Sequence, residues 1–146
     1  GPHLVRGRQT GTSTFSSTRP PIRRCPRAGK VTICGALFDA LSPYRGRVGI
    51  TASGSLICGL VSRSLGDLAL TLGRPEEAID LLTEAADHAD ELGMIFESVI
   101  SRRMLASALS SAGDHDGAAE VIAAALPRAE ACGFAREQRL LRAVSR

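Results

Sequence analysis

The amino-acid sequence predicts an all-α fold in which antiparallel helical hairpins stack as a short α-solenoid. Three observations support this prediction: aromatic residues are few, glycines recur at equal intervals, and an apolar pattern repeats. Aromatic residues make up 3% of the 146 residues, whereas hydrophobic residues make up 44%. A core must therefore be built from Ala, Leu, Ile and Val, which suits closely packed helices better than a β-sandwich.

Residues 1–35 are predicted to be a disordered basic leader. Residues 1–38 carry seven basic side chains and no acidic one, whereas the rest of the chain carries 11 basic and 15 acidic side chains. The leader is rich in Arg, Ser, Thr, Pro and Gly and has no apolar period, so burial cannot repay the entropy of ordering it. Two other interpretations stay open: a basic arm that touches nucleic acid or an anionic membrane, and a transit peptide.

Residues 36–55 are predicted to be a partial helix followed by a loop. The partial helix covers about 36–41, and the loop contains Pro, Gly and Ser with few apolar positions. The partial helix is interpreted as the remnant of a preceding repeat. We therefore expect the chain to be the end of a longer solenoid.

Four equally spaced glycines predict the ends of four equal helices: Gly73, Gly93, Gly113 and Gly133. Glycine just past a helix end supplies a left-handed backbone conformation that other residues adopt at a cost. The helices are predicted near 56–72, 75–92, 95–112 and 115–132. A fifth helix over 135–145 is predicted to cap the last hairpin.

Residues typical of helix starts support these bounds. Pro75 suits the first position of a helix, and Asp114 can cap the N-terminus of the fourth helix. In that helix Pro127 predicts a kink, because an interior proline removes an amide donor.

The segment 56–93 superposes on the segment 96–133, and the offset between the two segments is the repeat interval. The matched pairs include Leu65 with Leu105, Gly66 with Ala106, Leu82 with Ile122, and Ala85 with Ala125. Small residues recur where helices must approach closely, and larger aliphatic residues recur where they fill the gap. The two segments are therefore predicted to be repeats.

This pattern resembles the tetratricopeptide repeat (TPR). The family's Leu-Gly in the first helix is matched by Leu65-Gly66, and its Gly-x-x-x-x-Ala is matched by Gly73 with Ala78. The period is about 40 residues, which is longer than the family's usual period of about 34 residues, and the first helix lacks Tyr and Trp. The resemblance implies a TPR-like repeat domain over 56–146, whose first helices form a concave surface for a partner.

Long-period repeats of this kind are similar to those in the C-terminal portion of large bacterial signalling ATPases and transcriptional regulators. Residues 36–44 and 62–74 share this likeness. It implies a regulatory role in a bacterium. The ATPase motifs, the cyclase domain and the DNA-binding helix-turn-helix of those proteins are absent from the sequence, so their activities are not expected here.

No catalytic residue, cofactor or metal site is predicted. The cysteines are too scattered for a metal site: Cys25, Cys34, Cys58 and Cys132. Cys58 and Cys132 fall in apolar helical patterns, where a reduced thiol acts as a small hydrophobic group. His88 and His115 have no Ser, Cys or Asp partner at a catalytic spacing.

The candidate binding residues are Arg63 and Arg103, together with Asp67 and Ser107. The members of each pair are one repeat interval apart. The arginines are predicted to lie where the first helix of each repeat faces the concave groove, so they would offer guanidinium groups to an acidic peptide or an anionic ligand. The alternative is that they are solvated surface arginines.

The final helix is predicted to be a cap. Its basic residues recur at intervals of three and four and so line one face: Arg136, Arg139, Arg142 and Arg146. Leu141 and Val144 lie away from that stripe and would cover the last hairpin. Nucleic-acid binding by the basic face is the less favoured interpretation.

The sequence as a whole predicts a non-enzymatic module that binds a protein or peptide partner or senses a ligand. The alternative is a truncated regulator fragment with no independent binding activity. No stretch reaches the length of about 18 apolar residues that a transmembrane helix needs. We therefore expect no membrane partner and a cytoplasmic location.

Overall fold

The computed structural model describes residues 27–54 and 56–144 and is predominantly helical, which confirms the predicted class at the level of helical content. The elements are α1 (Arg27–Leu41), a 3-10 helix (Ser42–Tyr44), β1 (Val48–Ile50), β2 (Ile57–Leu60), α2 (Val61–Thr71), α3 (Pro75–Glu91), α4 (Ile95–Ala112), α5 (His115–Ala131) and α6 (Ala135–Val144). Helices α3, α4 and α5 match the predicted bounds to within one residue.

The four equally spaced glycines end α2, α3, α4 and α5, as predicted. All four have positive φ, between 68° and 88°. At each end the residue after the glycine donates its amide to a carbonyl five residues earlier, as Arg74 does to Ala69 at 2.9 Å. This is the Schellman arrangement, which satisfies the last carbonyls of a helix. Because each connection is only two or three residues long, consecutive helices run in opposite directions.

The helix starts also follow the predicted signals. Pro75 occupies the first turn of α3. The Asp114 carboxylate accepts a hydrogen bond from the Gly117 amide at 2.9 Å and caps α5. Helix α5 runs through Pro127 without a break.

The core lies between the helices and is made of small and aliphatic side chains. One cluster is shared by α1, α2, α3 and α4, and a second by α4, α5 and α6. Helices α2 and α3 approach closely at Gly66, where a Cβ atom would lie 2.5 Å from Leu82 Cγ. Leu141 is fully buried in the second cluster, so α6 covers the α4–α5 hairpin.

The predicted start of the first repeat helix is wrong. The helix predicted from residue 56 begins at Val61, because Ile57–Leu60 pairs antiparallel with Val48–Ile50, inside the predicted loop. Gly59 has a φ of 112°, which no helical residue adopts, and Leu60 is extended. A two-stranded hairpin therefore precedes α2.

The predicted end of the disordered leader is also wrong. Helix α1 includes residues 27–35 as well as the predicted segment 36–41, while residues 1–26 lie outside the described residues. Phe38 is buried in the first core cluster, and the Arg74 guanidinium lies 5.6 Å from the centre of its ring. Once this end is anchored, each further helical residue adds a hydrogen bond at little cost, so the helix extends towards Arg27.

The prediction that Cys58 and Cys132 act as small hydrophobic groups in helices is wrong. Cys58 lies on β2 and Cys132 at the end of α5, and both are exposed. The hairpin explains the error at Cys58, since its apolar neighbours belong to a strand.

Within the described residues, no helix is long and apolar enough to cross a bilayer.

Candidate functional site

The four candidate binding residues meet in one groove. A pocket of about 440 Å³ is lined by Arg63, Asp67, Leu70, Ile100, Arg103, Met104, Ser107, Arg136 and Glu137. Its walls come from α2, α4 and α6. The structure therefore brings the predicted residues together and adds five that were not predicted as binding residues. Three of these are apolar, and two are charged, Arg136 and Glu137.

Arg63 is not a free cation, because it is paired with a buried carboxylate. Its Nε lies 2.5 Å from Oε1 of Glu97, whose side chain is only 9% exposed. The same Oε1 accepts the Leu60 amide at 2.9 Å. Glu97 therefore ties the start of α4 to both the hairpin and α2.

Arg103 forms the equivalent pair one repeat later. Its Nε lies 2.6 Å from Oε2 of Glu137, whose side chain is 2% exposed. The two arginines are one repeat interval apart, and so are the two glutamates, so the ion pair repeats with the sequence. The arginines are thus neither simple solvated side chains nor unneutralised charges.

Each of these arginines still has donors for a ligand. The hydrogen bonds to the glutamates use Nε, whereas a guanidinium group carries four more N–H donors on Nη1 and Nη2. The Arg63 and Arg103 side chains remain 22% and 23% exposed. A bound group would therefore meet N–H donors whose positive charge is already balanced.

Two of the remaining groove residues carry charges of opposite sign and lie on different sides of the groove. Asp67 on α2 and Arg136 on α6 are exposed, and neither forms an ion pair with another described residue. Ser107 donates its hydroxyl to the Arg103 carbonyl at 3.2 Å. The groove is therefore polar and close to neutral overall.

A second pocket of about 390 Å³ adjoins the first, because Arg63 and Ile100 line both. Its other lining residues are mostly apolar and come from β2 and the start of α4: Ile57, Cys58, Gly59, Met94, Ile95, Phe96 and Glu97. Phe96 packs edge-on against Phe134, with ring centres 5.0 Å apart.

A carboxylate at the end of α3 joins three helices outside the groove. Asp90 accepts hydrogen bonds from Ser98 and Arg102 on α4, both at 2.7 Å, and from Arg128 on α5 at 2.8 Å. Burial alone would raise the pKa of Asp90, but these hydrogen bonds outweigh it and lower the pKa below the usual 3.8.

Glu84 on α3 also accepts hydrogen bonds from other elements, and it anchors the segment before β1 through Arg45. Burial would raise its pKa, but hydrogen bonds from Ser62 at 2.6 Å and from Arg45 at 2.7 Å lower the pKa below the usual 4.5. The Gly46 amide in turn donates to the Ser62 hydroxyl at 3.0 Å.

Metal binding has no support in the described part of the chain, where no three His, Cys, Asp or Glu side chains cluster closely enough to hold an ion.

Glu97 and Glu137 were not predicted as site residues from the sequence. The sequence does contain a signal for them, because each glutamate lies 34 residues after its arginine. Composition and apolar periodicity do not reveal it, because a glutamate in the first turn of a helix normally points to solvent.

No family model, curated protein or solved structure matches the chain.

Proposed function

We propose that the chain is a non-enzymatic interaction module that binds an extended segment of a protein partner in the groove between α2, α4 and α6. The observation that supports this most directly is that four residues in two repeat-related pairs line one groove: Arg63, Arg103, Asp67 and Ser107. A surface that repeats with the chain suits a ligand that is itself extended and repetitive, such as a polypeptide backbone.

The proposal includes a short TPR-like solenoid of two repeats with α6 as the cap. Two side-chain interactions recur at the repeat interval. The first links Arg63 to Glu97 and Arg103 to Glu137. The second links Asp90 to Arg102 and Glu130 to Arg142. Together with the equally spaced Schellman turns, they support one structural unit used twice.

The groove chemistry favours carbonyl groups over a highly acidic peptide. Because Glu97 and Glu137 neutralise Arg63 and Arg103, the Nη donors suit the neutral carbonyl oxygens of a backbone. Arg136 lies on one side of the groove and Asp67 on the other. They favour a segment with an acidic residue beside Arg136 and a basic residue beside Asp67. The partner is therefore a segment of mixed charge.

The biological setting follows from the resemblance to bacterial regulators. We propose that the module serves a bacterial transcriptional or signalling regulator in the cytoplasm.

The experiment is a selection of short displayed peptides on the purified chain, followed by fluorescence anisotropy with each selected peptide. Arg136→Asp should weaken binding by about tenfold, which corresponds to the loss of one partly desolvated charge contact. Arg139→Asp is the matched control, because Arg139 is exposed on the same helix but does not line the groove.

Charge reversal at Arg63 or Arg103 is a poor test, because it would leave a buried glutamate without its partner. Equal loss of binding in Arg136→Asp and Arg139→Asp would reject the groove. If no peptide binds saturably, the proposal fails and the alternative, a regulator fragment without binding activity, takes its place.

A further inference from the structure

The second pocket lies at the corner between the hairpin and α4. Two of its wall residues, Ile57 and Phe96, are 58% and 50% exposed, which is high for large apolar side chains. Its volume of about 390 Å³ falls within the range of pockets that hold compact organic groups. The pocket therefore has an apolar wall that the described chain leaves open.

The pocket is not uniformly apolar, because the ion pair of Arg63 and Glu97 lines it as well. Oε1 of Glu97 accepts both the Leu60 amide and Arg63 Nε, and neither of these bonds uses Oε2. The planar guanidinium of Arg63 can stack on an aromatic face. A group that fits this pocket needs an apolar aromatic body and one N–H donor at its edge.

We propose that this pocket binds the indole side chain of a tryptophan in the partner segment. The inference rests on the proposed function, because Arg63 and Ile100 line both the pocket and the groove and would let one segment occupy both. The indole ring packs against Ile57, Phe96 and Ile100, and its N–H donates to Glu97.

Indole fits better than leucine, phenylalanine, lysine and arginine for two reasons, and it offers more apolar surface than tyrosine, whose hydroxyl also donates. Leucine and phenylalanine fill the apolar volume but have no donor for the carboxylate. Lysine and arginine have donors but would place a second positive charge beside Arg63.

The chain itself suits an optical test, because it contains no Trp and only one Tyr. The probe is the peptide Gly-Gly-Trp-Gly-Gly, blocked at both ends and titrated with the full chain. We expect a saturable shift of the tryptophan emission to shorter wavelength. Ile57→Ala should weaken binding by about tenfold, whereas Leu92→Ala should not, because Leu92 is similarly exposed but lies outside the pocket.

A probe with N1-methyltryptophan tests the hydrogen bond to Glu97. Methylation removes the N–H donor and leaves the aromatic ring, so we expect binding about tenfold weaker. Equal binding of the two probes would overturn the role of Glu97.

Cys58 supplies a second readout that does not depend on fluorescence. It lines the pocket and is exposed, while Cys132 is exposed but does not line it. The tryptophan probe should slow alkylation of Cys58 by iodoacetamide at least threefold and leave Cys132 unchanged, as measured by peptide mass spectrometry. Equal rates at Cys58 with and without the probe would contradict the proposal.

Two results separate this inference from the proposed function. If selected peptides bind in an Arg136-dependent way while the tryptophan probe does not bind, the groove stands and the indole pocket is rejected. If free indole binds but the blocked peptide does not, the assignment of the pocket to a protein segment is overturned.

Discussion

Two equivalent ion pairs lie in different surroundings: Arg63 with Glu97, and Arg103 with Glu137. In the second pair, the residues before Arg103 belong to the same helix, α4. Its partner Glu137 is almost completely buried between α4 and α6. In the first pair, Arg63 follows a hairpin, and the glutamate also accepts the Leu60 amide.

The difference shows how one sequence relationship can serve two purposes. Where helix precedes the arginine, the pair packs into the core and holds the cap. Where a strand precedes it, the backbone departs from the helical path at Gly59, and the apolar pocket opens beside the pair.

The largest difference is expected when each arginine is truncated. Arg103→Ala should lower the free energy of unfolding by about 3–5 kcal/mol, because it leaves Glu137 buried without its partner. Arg63→Ala should cost about 1–3 kcal/mol, because Glu97 keeps the Leu60 amide and lies beside an open pocket. Urea denaturation followed by circular dichroism gives both values.

Arg136→Ala is the control for this pair of variants. Arg136 is exposed and lies beside Glu137 in the chain, so its removal should change stability by less than about 0.5 kcal/mol. Equal losses for Arg63→Ala and Arg103→Ala would mean that the two surroundings do not differ energetically.

The helix contact at Gly66 distinguishes the two repeats in a second way. Leu82→Ala should cost about 2–5 kcal/mol, because Leu82 is fully buried. Gly66→Ala should also destabilise the protein, since its Cβ would meet the Leu82 side chain at 2.5 Å. In the Leu82→Ala background the same change should cost less, because the side-chain atoms that the new Cβ would meet are absent.

Thermal and urea denaturation of the two single variants and the double variant complete this cycle. Strictly additive losses would show that Gly66 is needed for a reason other than contact with Leu82.

The repeat helices could be predicted because local and global signals agree there. Each of the four glycines ends a helix, and most of the apolar residues between them pack against a neighbouring helix. Gly66 marks a close contact between α2 and α3, and Ala106 is fully buried in the second cluster. Residue size alone suggests both. These features depend on short stretches of sequence, so they can be predicted from a single sequence.

The hairpin could not be predicted in the same way. Residues 57–60 are an apolar run that suits a helix or a strand equally. The choice depends on pairing with Val48–Ile50 and on Glu97, which is 37 residues away from Leu60. The second pocket was missed for this reason, since it exists only where the hairpin meets α4.

Gly59 is where the two surroundings begin to differ. Gly59→Ala should cost about 2–3 kcal/mol, because its φ is 112° and a Cβ would lie 2.7 Å from Glu97 Oε1. Gly54→Ala is the matched control: its φ is also positive, at 68°, but nothing lies within 4 Å of the added Cβ, so it should cost about 1 kcal/mol. Equal losses in urea denaturation would show that backbone strain alone, without the ion pair, explains Gly59.

The smallest effect is expected at the other repeated pair, Asp90 with Arg102 and Glu130 with Arg142. The pKa of Asp90 is lowered in the folded protein, so its ionised form stabilises the fold above its usual pKa of 3.8, and this stability is lost as pH falls through the folded pKa. Asp90→Asn should therefore cost about 1 kcal/mol at neutral pH, and the difference from wild type should shrink below about pH 3.8. Glu130→Gln should cost less, because Glu130 and Arg142 are 48% and 54% exposed.

Urea denaturation of the three proteins between neutral pH and pH 3 measures these costs, and comparison with wild type removes the background titration of Glu84. A cost for Asp90→Asn that stays constant over that range would show that the carboxylate contributes through shape rather than through charge.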